Sequence, residues 1–272
     1  MKKEIKVELH KVFCNRMFVA ALVIGLVFVG LDWFDHYQFI KASGGNGDTS
    51  LYTKWIGVNG YTLGCGLFFN LMPLLTCIPF GSSFFSELES GQADHFLCRT
   101  NRARFFEAKF IASFMIGGTT VAVPLIISLA AIALICPTLT PSVTWFAVTI
   151  EHGFFASVLY YTHPLVYVLI AILIDFLWGG VIACFCLVAG LFIRKRYVAM
   201  ALPFGVYFGI DLIITILKKP KNYPRLEVSP LRLMYIASDN MNPAWLVIGV
   251  IVLQIVIIST VYFWKVRRYE SI

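Results

Sequence analysis

Six long apolar runs constrain the fold of this sequence more than any other feature. Each approaches or exceeds the roughly 20 residues that a helix needs to cross the hydrocarbon core of a membrane. The runs cover approximately residues 17–34, 63–85, 110–136, 165–193, 198–217 and 245–264. Proline lies inside several of them, which membrane helices tolerate better than soluble helices do. The pattern predicts an all-α integral membrane protein with six transmembrane helices, forming one domain over residues 1–272.

The composition supports a membrane class and argues against other classes. Hydrophobic types make up 59% of the residues and charged types only 14%, against about 25% charged in soluble domains. The net charge of +7 forms no basic stripe on a soluble face, so nucleic acid is not an expected partner, whereas membrane lipid is. The seven cysteines contain no C-x-x-C pair, and His36, His152 and His163 have no ligand spacing. We therefore expect neither a disulfide framework, nor a metal site, nor a cofactor bound by this chain.

The lysines and arginines predict the orientation in the membrane. With six spans and an inside N-terminus, fifteen of them fall on the inner side and seven on the outer side. Both termini are then cytoplasmic, and the protein is a multi-pass component of the cell (cytoplasmic) membrane. The basic start precedes an apolar run without a small-residue cleavage site, so we expect this run to remain as the first span.

Residues 143–161 leave two topologies open. A seventh span here would reverse everything after it, and the distribution would become fourteen inside and eight outside. Glu151 and His152 would then lie near the middle of the bilayer, where a carboxylate is costly. We favour an outer interfacial or re-entrant helix over a seventh span.

The first sixteen residues have a helical pattern of their own. Ile5, Leu9, Val12 and Phe13 follow helical spacing, and basic residues occupy other positions on the wheel. This predicts an amphipathic helix over residues 1–16 that lies in the interface and is attracted to anionic lipid. The alternative is a basic flank that only sets topology.

A dense polar block, residues 86–109, separates the second and third runs. It holds four acids, three arginines, a lysine and a histidine. Under the predicted topology it lies in the cytoplasm, where Ser90 and Asn101 are placed to begin two short helices. We expect a helix–turn–helix elbow, with a plain solvated loop as the alternative.

The order of residues in this block resembles the membrane subunits of type-2 ATP-binding-cassette transporters (ABC-2 permeases). Their second span is followed by an acid, a glycine four residues on, a leucine-rich stretch, an arginine, and a lysine seven residues later. The corresponding residues here are Glu87, Gly91, Phe96-Leu97, Arg102 and Lys109. Arg99-Thr100-Asn101 stands where the family usually has a proline before the arginine. The layout of a basic helix, six spans and one elbow is also similar to that family.

The resemblance implies a transport function for the chain. In that family the elbow docks into a separate cytosolic ATPase subunit, present in two copies, which binds ATP and Mg²⁺. The chain itself is then not an enzyme. It would pair with a second copy or a homologous permease and export an amphipathic cargo such as a peptide, a lipid-like compound or a drug. The implied coupling residues are Glu87, Glu89, Gly91, Phe96, Leu97, Arg99, Arg102, Arg104 and Lys109.

Two aspartates lie inside predicted spans, where ionisable residues point to function by default. Asp175 and Asp211 are expected either to brace neighbouring helices or to contact cargo. An intramembrane enzyme built on this pair is an alternative, although Asp211 lacks the G-x-G-D context of aspartyl intramembrane proteases. A non-transporting scaffold or sensor is a further alternative. Trp33 and Trp55 are expected to anchor the outer membrane interface.

Overall fold

The computed structural model describes residues 2–42, 50–90, 102–136, 138–141, 150, 155–193, 195–217, 229–235 and 243–268. These residues form ten α-helices and no strand. The helices are α1 (Lys2–Phe13), α2 (Arg16–Ala42), α3 (Leu51–Lys54), α4 (Leu63–Glu89), α5 (Arg102–Ala133), α6 (Ser157–Thr162), α7 (Pro164–Phe192), α8 (Arg196–Leu217), α9 (Pro230–Leu233) and α10 (Ala244–Arg267).

Six of these helices, α2, α4, α5, α7, α8 and α10, are long and apolar enough to cross a membrane. The prediction of an all-α integral membrane protein with six spanning helices is therefore confirmed. Several helices extend beyond the apolar run that predicted them: α2 continues to Ala42, and α5 begins at Arg102. No proline or glycine occurs in residues 35–42 or 102–109, so nothing interrupts the helix where its surroundings become polar.

The helices α5 and α7 form the centre of the bundle and share a reciprocal packing motif. The sequence F-x-x-G-G occurs at 114–118 in α5 and at 176–180 in α7. The Phe114 ring lies over Gly180, and the Phe176 ring lies over Gly118. A Cβ on Gly179 would be 2.6 Å from the carbonyl oxygen of Gly117. Small residues allow membrane helices to approach this closely, because helix association there depends on packing.

The peripheral helices expose apolar surface. Only 11% of the apolar window of α8 and 17% of that of α10 is buried, against 67% for α7. Large side chains such as Ile213 and Ile216 on α8 are exposed. In water such a surface would be unfavourable, whereas lipid tails solvate it well. The burial gradient therefore fits a bundle surrounded by hydrocarbon.

The N-terminal segment forms the predicted helix, but part of its apolar face contacts protein. Glu8 and Val12 are buried, and Leu9 packs against the core formed with α5. Val7 and Phe13 are exposed at 53% and 41%. The helix α1 therefore lies along the bundle with one side packed and another side open.

The structure describes residue 150 and residues 155–161 of the predicted outer segment 143–161. They include the start of α6, a helix of six residues that follows Ala156 in a left-handed conformation with φ 47°. Pro164 begins α7 directly afterwards, since proline suits the first turn of a helix. Glu151 and His152 lie outside the described residues.

Candidate coupling site

The structure describes some of the implied coupling residues, and the others lie outside the part of the chain that it describes. Glu87 lies near the end of α4, and Arg104 and Lys109 lie in the first turns of α5. The backbones of Glu89 and Arg102 are helical. Gly91, Phe96, Leu97 and Arg99 lie outside the described residues. The predicted elbow of residues 86–109 is thus described at both ends.

Four charged side chains meet where α1, α4 and α5 come together, and we call them the charge cluster: Glu8, Lys11, Glu87 and Lys109. The Lys109 amino group lies 2.9 Å from Glu8 Oε2 and 2.5 Å from Glu87 Oε2. The Lys11 amino group lies 2.7 Å from Glu87 Oε1 and 3.6 Å from Glu8 Oε1. Each carboxylate therefore contacts both lysines.

The charge cluster is largely removed from solvent. The side chain of Lys109 is 1% exposed and that of Glu87 is 5% exposed, while Lys11 is 30% exposed. The Lys109 amino group also lies 4.9 Å from the centroid of the Phe105 ring, a cation–π distance. Two cations balance two anions, so no net charge is buried, and loss of one partner would leave an uncompensated charge.

Lys11, which lies on α1 outside the candidate spans, has a raised pKa. Partial burial lowers its pKa, but the hydrogen bond to Glu87 and the attraction of the Glu8 and Glu87 carboxylates raise it further. The net effect favours the charged amine. Lys11 therefore remains protonated across the physiological pH range. Its ion pair with Glu87 holds α1 against the last turn of α4.

Sequence reasoning did not identify Glu8 as a site residue, although the sequence contains a signal for it. Positions 5, 8, 9 and 12 share one face of a helix, so Glu8 interrupts the apolar face formed by Ile5, Leu9 and Val12. A carboxylate on such a face predicts a buried cationic partner. Its spacing to Lys11 is three residues, which also brings those two side chains together.

Glu87 and Lys109 connect the end of α4 to the start of α5. Each contacts the other and α1, and both are buried, whereas Arg104 on the first turn of α5 is exposed. The charge cluster fixes the last turns of α4 relative to the first turns of α5, which are the two helix ends that flank residues 91–101. Whether the nine implied residues couple to an ATPase stays a prediction.

The two intramembrane aspartates have different surroundings. Asp211 Oδ1 accepts a hydrogen bond from Arg232 Nε at 2.8 Å, and Arg232 also donates to Thr215 Oγ1 at 3.0 Å. This arrangement braces α8 against α9. Asp175 is buried in α7, and its Oδ1 has no hydrogen-bond partner among the residues described. No hydrogen bond or ion pair within the described ranges joins the two aspartates.

A second polar group links α2 to the start of α4. Thr62 Oγ1 donates to Asp32 Oδ1 at 2.5 Å, and Asn59 Nδ2 lies 3.3 Å from His36 Nε2. Asp35 Oδ2 accepts the backbone N–H of Leu63, the first residue of α4, at 3.3 Å. In the part of the chain that the structure describes, no group of three His, Cys, Asp or Glu side chains is arranged to hold a metal ion.

No model of a known protein family matches the chain, and no curated protein is significantly similar to it in sequence.

Proposed function

We propose that the chain is the membrane-spanning permease subunit of an ATP-driven exporter of the ABC-2 class. In this proposal it lies in the cytoplasmic membrane with both termini inside, and a separate cytosolic ATPase supplies the energy. The cargo is amphipathic: a peptide, a lipid-like compound or a drug. ATP and Mg²⁺ are bound by two copies of the ATPase, and a second permease copy or a homologous permease completes the pathway.

The observation that carries the proposal is the buried contact between Glu87 and Lys109. These residues occupy the acidic and lysine positions of the order that resembles ABC-2 permeases, and they lie 2.5 Å apart although 22 residues separate them in sequence. A segment with firmly joined ends can pass a displacement to both helices, whereas an unattached loop would absorb it. The charge cluster thus provides the stiffness that coupling requires.

The contacts of Glu87 and Lys109 also suggest that residues within 86–109 have different roles. Glu87 and Lys109 are occupied by each other and by α1, so we assign them a positioning role. Direct contact with the ATPase then falls to Arg104, which is exposed, and to the predicted rim residues Glu89, Arg99 and Arg102. Charges at the rim of an interface set the register of docking more than its total affinity.

Co-purification tests this proposal. The chain is expressed together with a candidate cytosolic ABC ATPase from the same organism, and any complex is isolated through a tag on the chain. We expect the ATPase to co-purify with the wild type, and expect Arg104→Glu to weaken the association while Arg267→Glu, at the exposed end of α10, leaves it unchanged. Transport by the purified chain without any ATPase would contradict the proposal.

Topology provides an independent check on the same proposal. Cys14 is exposed and directly follows α1, three residues after Lys11 of the charge cluster. An impermeant thiol reagent applied to intact cells is expected not to label Cys14 or Cys98, and to label both after the membrane is opened. Labelling of either cysteine in intact cells would place the elbow on the outer side and exclude a cytosolic partner.

A further inference from the structure

A polar cavity of about 370 Å³ lies beside the charge cluster. It opens between the starts of α2 and α8 and the last turns of α4. Its polar lining includes Lys11, Asn15, Ser83, Ser86, Glu87 and Arg196. The cavity shares Glu87 and Lys11 with the charge cluster, but binding of a ligand in it does not depend on the proposed transport function.

Arg196 supplies to the cavity a cation that pairs with no carboxylate of the described residues, and its guanidinium carbon lies 5.9 Å from the centroid of the Tyr197 ring. No ion pair of Arg196 is present among the described residues, and its buried Nε has no hydrogen-bond partner there. The residue begins α8, where the first backbone N–H groups have no acceptor within the helix. The partial positive charge of a helix N-terminus adds to the charge of the guanidinium.

The charges of the other described groups at the cavity balance one another. Glu87 is the carboxylate in its wall, and both Lys11 and Lys109 already contact that carboxylate. Within the charge cluster, Glu8 balances the remaining lysine charge. Counting only the described residues, Arg196 therefore leaves the cavity with a net positive charge, and none of their carboxylates lines the cavity unpaired.

Hydroxyl and amide groups add fixed hydrogen-bonding capacity. Ser83 and Ser86 are three residues apart and share one face of α4. No side-chain hydrogen bond of either hydroxyl is present in the described part of the chain. Asn15 is held in place, because its Oδ1 accepts the Met17 N–H at 3.0 Å and its Nδ2 lies 3.4 Å from Ser82 Oγ.

We propose that this cavity binds a phosphate group, and that the headgroup of an anionic phospholipid supplies it. A planar guanidinium with nearby hydroxyls matches an anion that has several oxygens, since arginine can donate two parallel hydrogen bonds to it. The lipid source follows from the surroundings. Met17 lines the cavity and is 42% exposed, and Ile24, two turns further along the same face of α2, is 39% exposed. Acyl chains of a bound lipid would cover these apolar surfaces.

Native mass spectrometry of the full chain in mild detergent, titrated with dioleoyl phosphatidic acid, tests the proposal. We expect Arg196→Gln to weaken binding about tenfold or more, because a hydrogen-bonded charge contact is lost. Arg267→Gln removes the same charge from an exposed position outside the cavity and should bind like the wild type. Equal affinities of the two variants would overturn the proposal.

Two further arms separate the source of the phosphate from the effects of misfolding. Dioleoylglycerol has the same chains without the phosphate and should not compete, and inorganic phosphate should compete only at much higher concentrations than the lipid. Inorganic phosphate that competes as well as phosphatidic acid would overturn the lipid source. Ser86→Ala changes an exposed residue that cannot affect folding strongly, and should weaken phosphatidic acid binding about threefold. Unchanged binding by both Ser86→Ala and Arg196→Gln would overturn the site.

Discussion

Gly117 of α5 and Gly179 of α7 bring the backbones of the two central helices into direct contact. A Cβ on Gly179 would lie 2.6 Å from the Gly117 carbonyl oxygen, and a Cβ on Gly117 would come closer still to the Gly179 carbonyl oxygen. The reciprocal Phe114 and Phe176 rings flank this contact and meet edge to face with centroids 6.1 Å apart. The two helices therefore cross at a point where backbone carbonyls would block a larger side chain.

Gly179→Ala should destabilise the protein by about 1–3 kcal/mol, because the added methyl group forces the helix backbones apart. Gly205 on α8 provides the matched control, since a Cβ there would meet nothing within 4 Å. Gly205→Ala should be neutral or slightly stabilising, because alanine favours helix over glycine. Thermal unfolding in detergent measures both changes. Equal unfolding temperatures for the two variants would contradict the close crossing.

Lys109→Met should cost about 3–5 kcal/mol of stability, because it leaves two buried carboxylates with only Lys11 to balance them. The double variant Glu87→Gln with Lys109→Met restores the balance of one cation and one anion, and should unfold at a higher temperature than Lys109→Met alone. Arg104→Met, at an exposed position of the same helix, should change stability by less than about 0.5 kcal/mol. Simple additivity of the two single changes would contradict a shared network.

The contribution of Lys11 should depend on pH. Its folded pKa lies above its ordinary value of 10.5, so the charged amine stabilises the folded state fully below pH 10.5 and loses that effect as pH rises through the folded pKa. Wild type should unfold about 1–3 °C above Lys11→Met at pH 8. The difference should stay the same between pH 8 and pH 10.5 and shrink above pH 10.5. A difference that grows with rising pH would contradict the assigned contacts of Lys11.

Two buried aspartates should respond differently to truncation. Asp32→Ala removes the acceptor of the Thr62 hydroxyl and the neighbour of His36, so it should cost about 1–3 kcal/mol through unsatisfied partners in addition to lost packing. Asp175→Ala leaves no hydrogen-bond partner behind among the described residues and removes an unpaired carboxylate. Asp175→Ala should therefore be the milder change in thermal unfolding. A larger loss at Asp175 would indicate a partner that these contacts do not include.

The helices were predictable because each apolar run is long and its signal is local. The reciprocal F-x-x-G-G motif was also visible in the sequence, but its meaning depends on which two helices meet, and periodicity within one helix does not carry that information. Trp55 illustrates the same limit. It was expected at the membrane interface, yet it is fully buried and its indole N–H donates to the Leu125 carbonyl 70 residues away.

For the charge cluster, the positions of two members were predictable from the sequence, but their pairing was not, because pairing depends on which helices meet. Glu87 and Lys109 stand out as charges beside apolar runs, so their position near helix ends followed from the sequence. Their pairing with Glu8 and Lys11 depends on α1 folding back along α5, which no local pattern specifies. Asp211 likewise was expected as a polar contact, but its partner Arg232 comes from α9, 21 residues later.

Flux in proteoliposomes tests the central claim most directly. The purified chain and its ATPase partner are reconstituted together, and the ATP-dependent movement of a fluorescent amphiphile is compared for wild type and Lys109→Met. We predict flux for the wild type only when both ATP and the ATPase are present, and predict that Lys109→Met loses most of the flux while the ATPase still hydrolyses ATP. Flux from the chain without the ATPase, or undiminished flux in Lys109→Met, would contradict a charge cluster that couples an ATPase to the membrane helices.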